Sequence, residues 1–257
     1  MLLDRPSQAF AFSLLCERPL YVFIPLKDEN PSRSFPVVNI LLILSNVAVF
    51  IYQTTLPPHA FKAFVYADAT VPARFPAFLA GHTSFETAFL PLLTSMFLHA
   101  GLLHIAGNML FLWIFGDNIE DFFGHLPYLL FYLFCGVGSG LLHVLFNWGS
   151  NIPALGASGA VSGVMGAYLV LFPRERILTL VFIFLVPIPA VFILVYWFFI
   201  QFAEAVTSVG STSVAATGGV AVWAHVGGFL MGMLITIMAR NGQGGQGPRS
   251  VRRVNYV

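Results

Sequence analysis

Four polar residues within apolar stretches of the chain have the side chains that acyl transfer requires. Ser158 opens an apolar run after an uncharged loop at 147–156 (NWGSNIPALG), and His225 lies near the start of another run. A serine hydroxyl is a poor nucleophile until an adjacent base takes its proton, and histidine suits that task because its pKa is near 6.5. His104 and Asn108 are four residues apart, so a helix places both on one face. Their side chains, with the free N–H groups of a helix N-terminus, are suitable donors to a tetrahedral oxyanion.

Each of these residues also has a structural interpretation. A single serine or histidine in a membrane span more often forms a packing hydrogen bond than takes part in chemistry. The pairs Gly159/Gly163 and Gly228/Gly232 have the small-xxx-small spacing that lets helices pack closely in lipid. Ser162 is expected to bond its own helix backbone. The combination of the polar residues, rather than any one of them, therefore favours catalysis.

Competing chemistries fit the sequence less well. It contains no His-Glu-x-x-His motif, which excludes a zinc metalloprotease of that type. An aspartyl mechanism needs two carboxylates at membrane depth, and Asp117 has no partner. A metal site from His99, His104 and His225 lacks a carboxylate or thiolate at suitable spacing. We therefore expect no metal or organic cofactor. No carboxylate is evident to orient His225, so the site is predicted to be a Ser-His dyad.

The composition requires a membrane. Of 257 residues, 58% are hydrophobic and 9% are charged, and the mean hydropathy is +0.83. Soluble domains carry about 25% charged residues. The net charge of +1 gives no reason to expect a nucleic-acid partner.

Six apolar runs predict an all-α membrane protein with six transmembrane helices. About 20 apolar residues cross a bilayer core, and the candidate spans are 36–53, 94–115, 127–147, 156–172, 181–203 and 219–239. The fifth is interrupted by Pro187 and Pro189, and its first part reads as an extended stretch leading into a helix from about Pro189. Residues 1–35 are read as a cytoplasmic N-terminal arm, 36–239 as the six-span domain and 240–257 as a basic, disordered cytoplasmic tail.

Charge predicts the orientation. Six spans place ten of the 12 Lys and Arg residues on the side of both termini, with only Lys62 and Arg74 on the other. Positive residues favour the cytoplasm, so both termini are expected inside. The segment 55–93, rich in proline and aromatic residues, is then a structured external loop between spans 1 and 2. A prokaryotic inner (cytoplasmic) membrane is the expected location.

The predicted spans place the four polar residues at one level. Span 4 has about 17 residues, or roughly 25 Å, and is shorter than a bilayer core of about 30 Å. Its outer end, with Ser158, would therefore lie in a recess below the external surface. His225, His104 and Asn108 descend from the same side.

At these residues the chain resembles the rhomboid family of intramembrane serine proteases. The resemblance runs from about residue 24 to about 239, and its most specific segments are HAGLLHIAGN (99–108), GASGAVSGVMGAY (156–168) and AHVGGFLMG (224–232). It implies a six-helix rhomboid-like bundle with Ser158 as nucleophile and His225 as general base. His104, Asn108 and the backbone N–H of Ser158 would form the oxyanion hole.

The resemblance also implies structural roles and partners. His99 and Glu120 (in GDNIEDFFG, 116–124) would be structural. The substrates would be transmembrane proteins that enter from the membrane lipid between spans 2 and 5, with the small, polar segment 204–219 as a cap. Some family members carry an aromatic residue four positions after the nucleophile, stacked on the catalytic histidine; here that position is Ser162, so His225 must be oriented otherwise. The alternatives are a catalytically inactive rhomboid-like protein that binds membrane clients, and a transporter, for which the halves show no repeat.

Overall fold

The fold is a helical bundle with a small sheet at one end. The structure is a computed structural model that describes residues 23–208 and 221–242. Its helices are, in chain order, α1 (Val37–Thr55), α2 (Pro58–Asp68), α3 (Arg74–Leu79), α4 (Phe85–Phe89), α5 (Pro91–Thr94), α6 (Leu102–Phe123), α7 (His125–Phe146), α8 (Ser158–Leu171), α9 (Ala190–Ser208) and α10 (Val222–Gly242). The strands are β1 (Phe23–Asp28), β2 (Arg176–Val181) and β3 (Phe184–Pro189).

The long helices identify an integral multi-pass membrane protein. Within the described residues, five helices (α1, α6, α7, α9 and α10) are long and apolar enough to cross a membrane. The fourth predicted span corresponds to α8, which has 14 residues and a length of about 21 Å. Most residues of α8 are buried, so it lies at the centre of the bundle. The number of membrane crossings stays a prediction.

Glycine contacts bring α8 and α10 close together. A Cβ atom built on Gly228 would overlap the backbone carbonyl of Gly159, and one on Gly232 would overlap that of Gly163. Any side chain at these two α10 positions would force the helices apart. The small-xxx-small spacing is therefore used for close packing, as the structural interpretation of these glycines predicts.

The predicted second span, 94–115, was placed eight residues too early. Residues 91–97 form the short helix α5 and a 3₁₀ turn, and α6 begins only at Leu102. At its other end α6 continues to Phe123, past the predicted end at residue 115 and through the acidic segment 116–124 up to its last residue but one. Hydropathy misplaced the span for two reasons. The apolar residues of α5 extend the apolar run at its N-terminal end, and the carboxylates near the end of α6 cut it short at its C-terminal end.

Glu120 explains how a carboxylate is accommodated inside the bundle. Its side chain is buried and accepts hydrogen bonds from the backbone N–H groups of Val38 (2.9 Å) and Asn39 (2.7 Å) at the start of α1. Its other contact is with Nδ1 of His125. The carboxylate thus satisfies free donors at the N-terminus of α1, which fits the structural role expected of Glu120.

The three strands form an antiparallel sheet, in the order β1-β2-β3, that the all-α prediction did not include. β2 and β3 make a hairpin from residues that the sequence partly assigned to the fifth span. The helical part of that span begins at Ala190, which agrees with the expected extended stretch and helix start near Pro189. β1 is distant in sequence and adds to the hairpin through tertiary pairing, which local pattern cannot predict.

The segment between α1 and α6 is folded into short helices. Arg74 connects the end of α2 to α4 within this segment. Its guanidinium donates to the backbone carbonyls of Ala67 (3.3 Å), Ala69 (3.4 Å) and Thr87 (3.4 Å), and it also contacts the carbonyl of Tyr66. Residues 1–22, 209–220 and 243–257 lie outside the described residues, and they include most of the predicted N-terminal arm, most of the predicted cap (204–219) and most of the predicted tail.

Candidate active site

Ser158 is the first residue of α8, and the chain before it is held by backbone pairing. Thr70 and Ala154 exchange two hydrogen bonds (3.0 and 2.8 Å), and the N–H of Gly156 donates to the carbonyl of Ser95 (2.9 Å). These bonds tie the entry to α8 to the loop segment and to the turn before α6. Ser158 is half-buried at the helix N-terminus, where free N–H groups and the positive end of the helix dipole lie.

Gly156 creates the space between Ser158 and His104. Its φ of +123° is a conformation that other residues rarely adopt. A Cβ at this position would lie 2.8 Å from Nε2 of His104 and 3.7 Å from Oγ of Ser158. The imidazole and the hydroxyl therefore border one small space, which only a glycine leaves open.

His225 lies on α10 at the level of Ser158. Gly159 on α8 contacts Gly228 on α10. Gly159 follows Ser158 directly, and Gly228 lies about one turn after His225. The carbonyl of Ala224 is also 3.6 Å from the Cβ position of Gly159. The packing of α8 on α10 therefore brings the two predicted catalytic residues to adjacent places on neighbouring helices.

The ring of His225 is bordered by two residues of α9. Its Nδ1 contacts Oε1 of Gln201, and the ring of Trp197 lies 5.9 Å away between centroids, tilted by 35°. In the described part of the chain, no hydrogen bond joins His225 to Ser158; such bonds are often long in enzymes without substrate. Sequence reasoning missed Gln201, although an amide inside a predicted span was an available signal.

The two predicted oxyanion-hole side chains are both on α6, but they point to different partners. Nδ1 of His104 lies 3.4 Å from the backbone N–H of Ala100, and its Nε2 faces the space at Gly156. The Asn108 amide donates to the carbonyl of His104 (3.1 Å). The structure thus brings His104 beside Ser158 and leaves Asn108 bonded to its own helix.

His99 fits its expected structural role. It is buried, and its backbone exchanges hydrogen bonds with the side-chain amide of Gln53 at 3.0 and 3.2 Å. Its ring lies edge-to-face with that of His104, with 5.1 Å between centroids. His99 therefore connects α1 to the chain entering α6 and packs behind His104.

A small cavity of about 30 Å³ adjoins Ser158 on the side of α7. Its lining includes His143, Ser139, Thr70 and Ser95 as well as the nucleophile candidate. This volume is enough for about one water molecule. The position of His143 beside Ser158 could not be predicted from its place near the end of an apolar run.

Ser162 bonds its own helix backbone, as expected, because its hydroxyl donates to the carbonyl of Ser158 (2.6 Å). It is buried and supplies no aromatic ring. The aromatic neighbour of His225 comes instead from α9 through Trp197.

In this bundle a buried central helix begins with a serine and packs, through glycines, on a helix that carries a histidine. This arrangement is that of a polytopic membrane protein of the rhomboid type. The rhomboid domain model matches residues 86–242, which is more than half of the chain. The chain belongs to the rhomboid family.

Individual relatives come from several kingdoms. The chain is 45% identical over 78 residues to RHOMBOID-like protein 6, mitochondrial, of Arabidopsis thaliana, covering 30% of this chain and 25% of the relative. It is 29% identical over 154 residues to Rhomboid protein 1, mitochondrial, of Saccharomyces cerevisiae (58% and 42%). It is 41% identical over 78 residues to Rhomboid protease GluP of Bacillus subtilis (30% and 15%).

The chain spans less than half the length of each of these three proteins. Two of these relatives are named mitochondrial and the third comes from a bacterium, so together they do not support the expectation of a prokaryotic membrane.

Proposed function

We propose that this protein is an intramembrane serine endopeptidase that cleaves peptide bonds in or near transmembrane segments of other membrane proteins. The observation that carries the proposal is the Gly159–Gly228 contact, because it packs the first turn of α8, which begins with Ser158, against the turn of α10 that follows His225. A relative of the chain is named a rhomboid protease, which supports the same activity.

The proposed reaction uses Ser158 and His225 as a dyad. Nε2 of His225 takes the proton of the Ser158 hydroxyl as Oγ bonds to the substrate carbonyl carbon. The imidazolium then gives that proton to the leaving amine, and a water molecule hydrolyses the acyl-enzyme by the same path in reverse order. The cavity beside Ser158 and His143 has room for that water before it attacks.

Three donors are proposed for the oxyanion. They are the backbone N–H of Ser158, Nε2 of His104 and the side-chain amide of Asn108. An amide nitrogen carries two protons, so Asn108 can keep its bond to the His104 carbonyl and still donate to substrate. Preorganised donors in a site that excludes water are the usual main source of stabilisation in acyl transfer.

The membrane supplies the partners. The substrates are transmembrane proteins, and the surrounding lipid covers the exposed apolar faces of the long helices. We propose that substrates enter between α6 and α9, because α9 is the least buried of the five long helices. The excess of Lys and Arg at the opposite end of the bundle supports an orientation with both termini in the cytoplasm and the Ser158 end outside.

The test is cleavage of a generic transmembrane substrate by purified protein, comparing wild type with Ser158→Ala, His225→Ala and the double variant. Each single variant should be inactive while remaining folded, and the double variant should be no worse, because dyad members act as a unit. Ser162→Ala and His59→Ala are matched controls and should stay active.

Two results would overturn the proposal. Residual cleavage in Ser158→Ala would exclude it as nucleophile. A folded wild-type protein that neither cleaves nor reacts with a fluorophosphonate probe would instead favour an inactive rhomboid-like protein that binds clients.

A further inference from the structure

The β2–β3 hairpin exposes apolar side chains on both faces and at its tip. Side chains alternate between the faces of a strand, yet Phe184 (66% exposed) and Leu185 (58%) are neighbours in β3, and Ile183 at the tip is 83% exposed. Residues 177–190 contain no ionisable group. In water, such an apolar edge would be a site of aggregation, so the hairpin requires an apolar surrounding.

The exposed sheet is continuous with a lipid-facing helix. β3 runs directly into α9, whose exposed residues include Phe192 and Phe199. The ring of Phe23 in β1 lies 6.3 Å from that of Tyr196 on the same helix. The apolar surface of the sheet therefore extends the surface that α9 presents to lipid.

Charge marks the boundary of this surface. Arg174 and Arg176 are exposed immediately before the apolar stretch, at the base of the hairpin. Arginines at this position match the anionic phosphates of lipid headgroups. Among the described residues no strand pairs with the outer edge of β3. Its backbone groups there need water, so the body of the hairpin lies at the headgroup boundary and only its tip reaches the acyl chains.

We propose that the β1–β2–β3 sheet is a membrane-interface anchor, seated in the leaflet at the end of the bundle opposite Ser158. Its occupant is the lipid bilayer: the hairpin tip contacts acyl chains, and Arg174 and Arg176 bind headgroup phosphates. The anchor fixes the start of α9 relative to the membrane independently of any catalytic activity.

The test is spin-label accessibility at Ile183→Cys in the full chain in nanodiscs, with Cys16→Ser and Cys135→Ala to remove native thiols. Phe134→Cys, exposed on α7, is the lipid control, and His82→Cys, in the segment between α1 and α6, is the water control. The label at 183 should collide with oxygen and avoid a water-soluble nickel complex, as at 134.

Two outcomes would overturn the anchor. Nickel accessibility equal to that at 82 would place the hairpin in water. Shielding from both reagents would show that protein covers it, either residues 1–22 or a second copy of the chain.

A second, independent observation concerns the hydrogen bonds beyond His225, and it rests on the proposed function. Oε1 of Gln201 contacts Nδ1 of His225, while Nε2 of Gln201 donates to Oε2 of Glu204 (3.4 Å). The carboxylate accepts only, so it orients the amide with its oxygen toward the imidazole. A carboxylate is thus linked to the base through an amide on α9.

We infer that Gln201 is a positioning residue for the base. Its oxygen accepts the Nδ1 proton of His225 and so selects the tautomer whose Nε2 has a free lone pair for the Ser158 proton. Trp197, one turn earlier on α9, limits rotation of the ring. The neutral amide also stabilises the imidazolium that forms after proton transfer, a role that a carboxylate has in serine protease triads.

Gln201→Leu, Gln201→Glu and Glu204→Gln test this inference. Leucine should lower kcat about tenfold to a hundredfold with little change in KM, since an oriented base contributes roughly 100- to 10,000-fold. Glutamate keeps an acceptor and should restore most of kcat, with the acid limb of the pH–rate profile moved to higher pH. Glu204→Gln should cost only a few-fold.

Ser158→Ala measured in parallel separates the two proposals. An inactive Ser158→Ala with a fully active Gln201→Leu would refute the positioning role alone. An unshifted pH profile in a folded Gln201→Glu would do the same. Activity in Ser158→Ala would refute the proposed function itself.

Discussion

Replacing Gly228 with alanine tests whether the α8–α10 contact sets the site. A Cβ at this position would lie 2.8 Å from the carbonyl carbon of Gly159 and closer still to its oxygen, whereas ordinary contact begins near 3.4 Å. The neighbouring atoms belong to the backbone and cannot rotate away. The two helices must therefore separate by about 1 Å, because protein interiors have few voids that absorb such a change.

The expected loss has two parts. Overpacking of this kind typically costs about 1–3 kcal/mol of unfolding free energy. A displacement of roughly 1 Å between reacting groups can cost about 100-fold in rate, so cleavage should fall by about that factor even where the protein stays folded. The rate should therefore fall by more than any loss of folded protein explains.

Gly107→Ala is the matched control. This glycine also lies inside a membrane helix, α6, but a Cβ there would meet nothing within 4 Å. Alanine should be neutral or stabilising by about 0.5–1 kcal/mol, because glycine has the greater unfolded-state entropy. Unfolding in mixed micelles and substrate cleavage would be measured for both variants. Equal stability and activity of Gly228→Ala and wild type would refute the packing argument.

Three further predictions concern other parts of the molecule. Asn108→Ala should lower kcat by about 100- to 1,000-fold, the usual cost of one oxyanion donor, while Ser158 still reacts with a fluorophosphonate; full activity would remove Asn108 from the site. Burial raises the pKa of Asp28 from 3.8 to about 7, against the lowering effect of the hydrogen bond from Tyr168 (2.9 Å). The folded state thus binds this proton more tightly, so the contribution of Asp28 to stability is full below pH 3.8 and is lost as the pH rises to about 7. Asp28→Asn should flatten the pH dependence of the melting temperature across that window, and an unchanged dependence would contradict the assignment. Cysteines at Ser84 and Asn241 should label from opposite sides of sealed vesicles, and labelling of both from one side would contradict the six-span orientation.

Membrane insertion could be predicted from sequence, and the residues of the candidate site could be proposed from it, because both depend on local residue type. Apolar length marks a membrane helix wherever it occurs in a chain. Ser158, His225 and His104 stood out because polar groups at membrane depth are rare.

Helix boundaries were less predictable. Hydropathy placed the second span at 94–115 because it cannot distinguish the apolar residues of α5 from those of a span. The true helix includes Glu120, and a buried carboxylate is acceptable there only because α1 offers its free N–H groups. The boundary of α6 was therefore determined by a contact with a helix about 80 residues away in sequence.

The sequence by itself determined that this is a helical membrane protein, and it singled out the serine and histidine whose chemistry defines the candidate site. Only the tertiary structure showed how His225 is held, because Trp197 and Gln201 reach it from another helix. The same is true of the sheet, in which β1 pairs with residues about 150 positions later. Periodicity and composition describe each segment alone, whereas these features arise from contacts between segments that are distant in the chain.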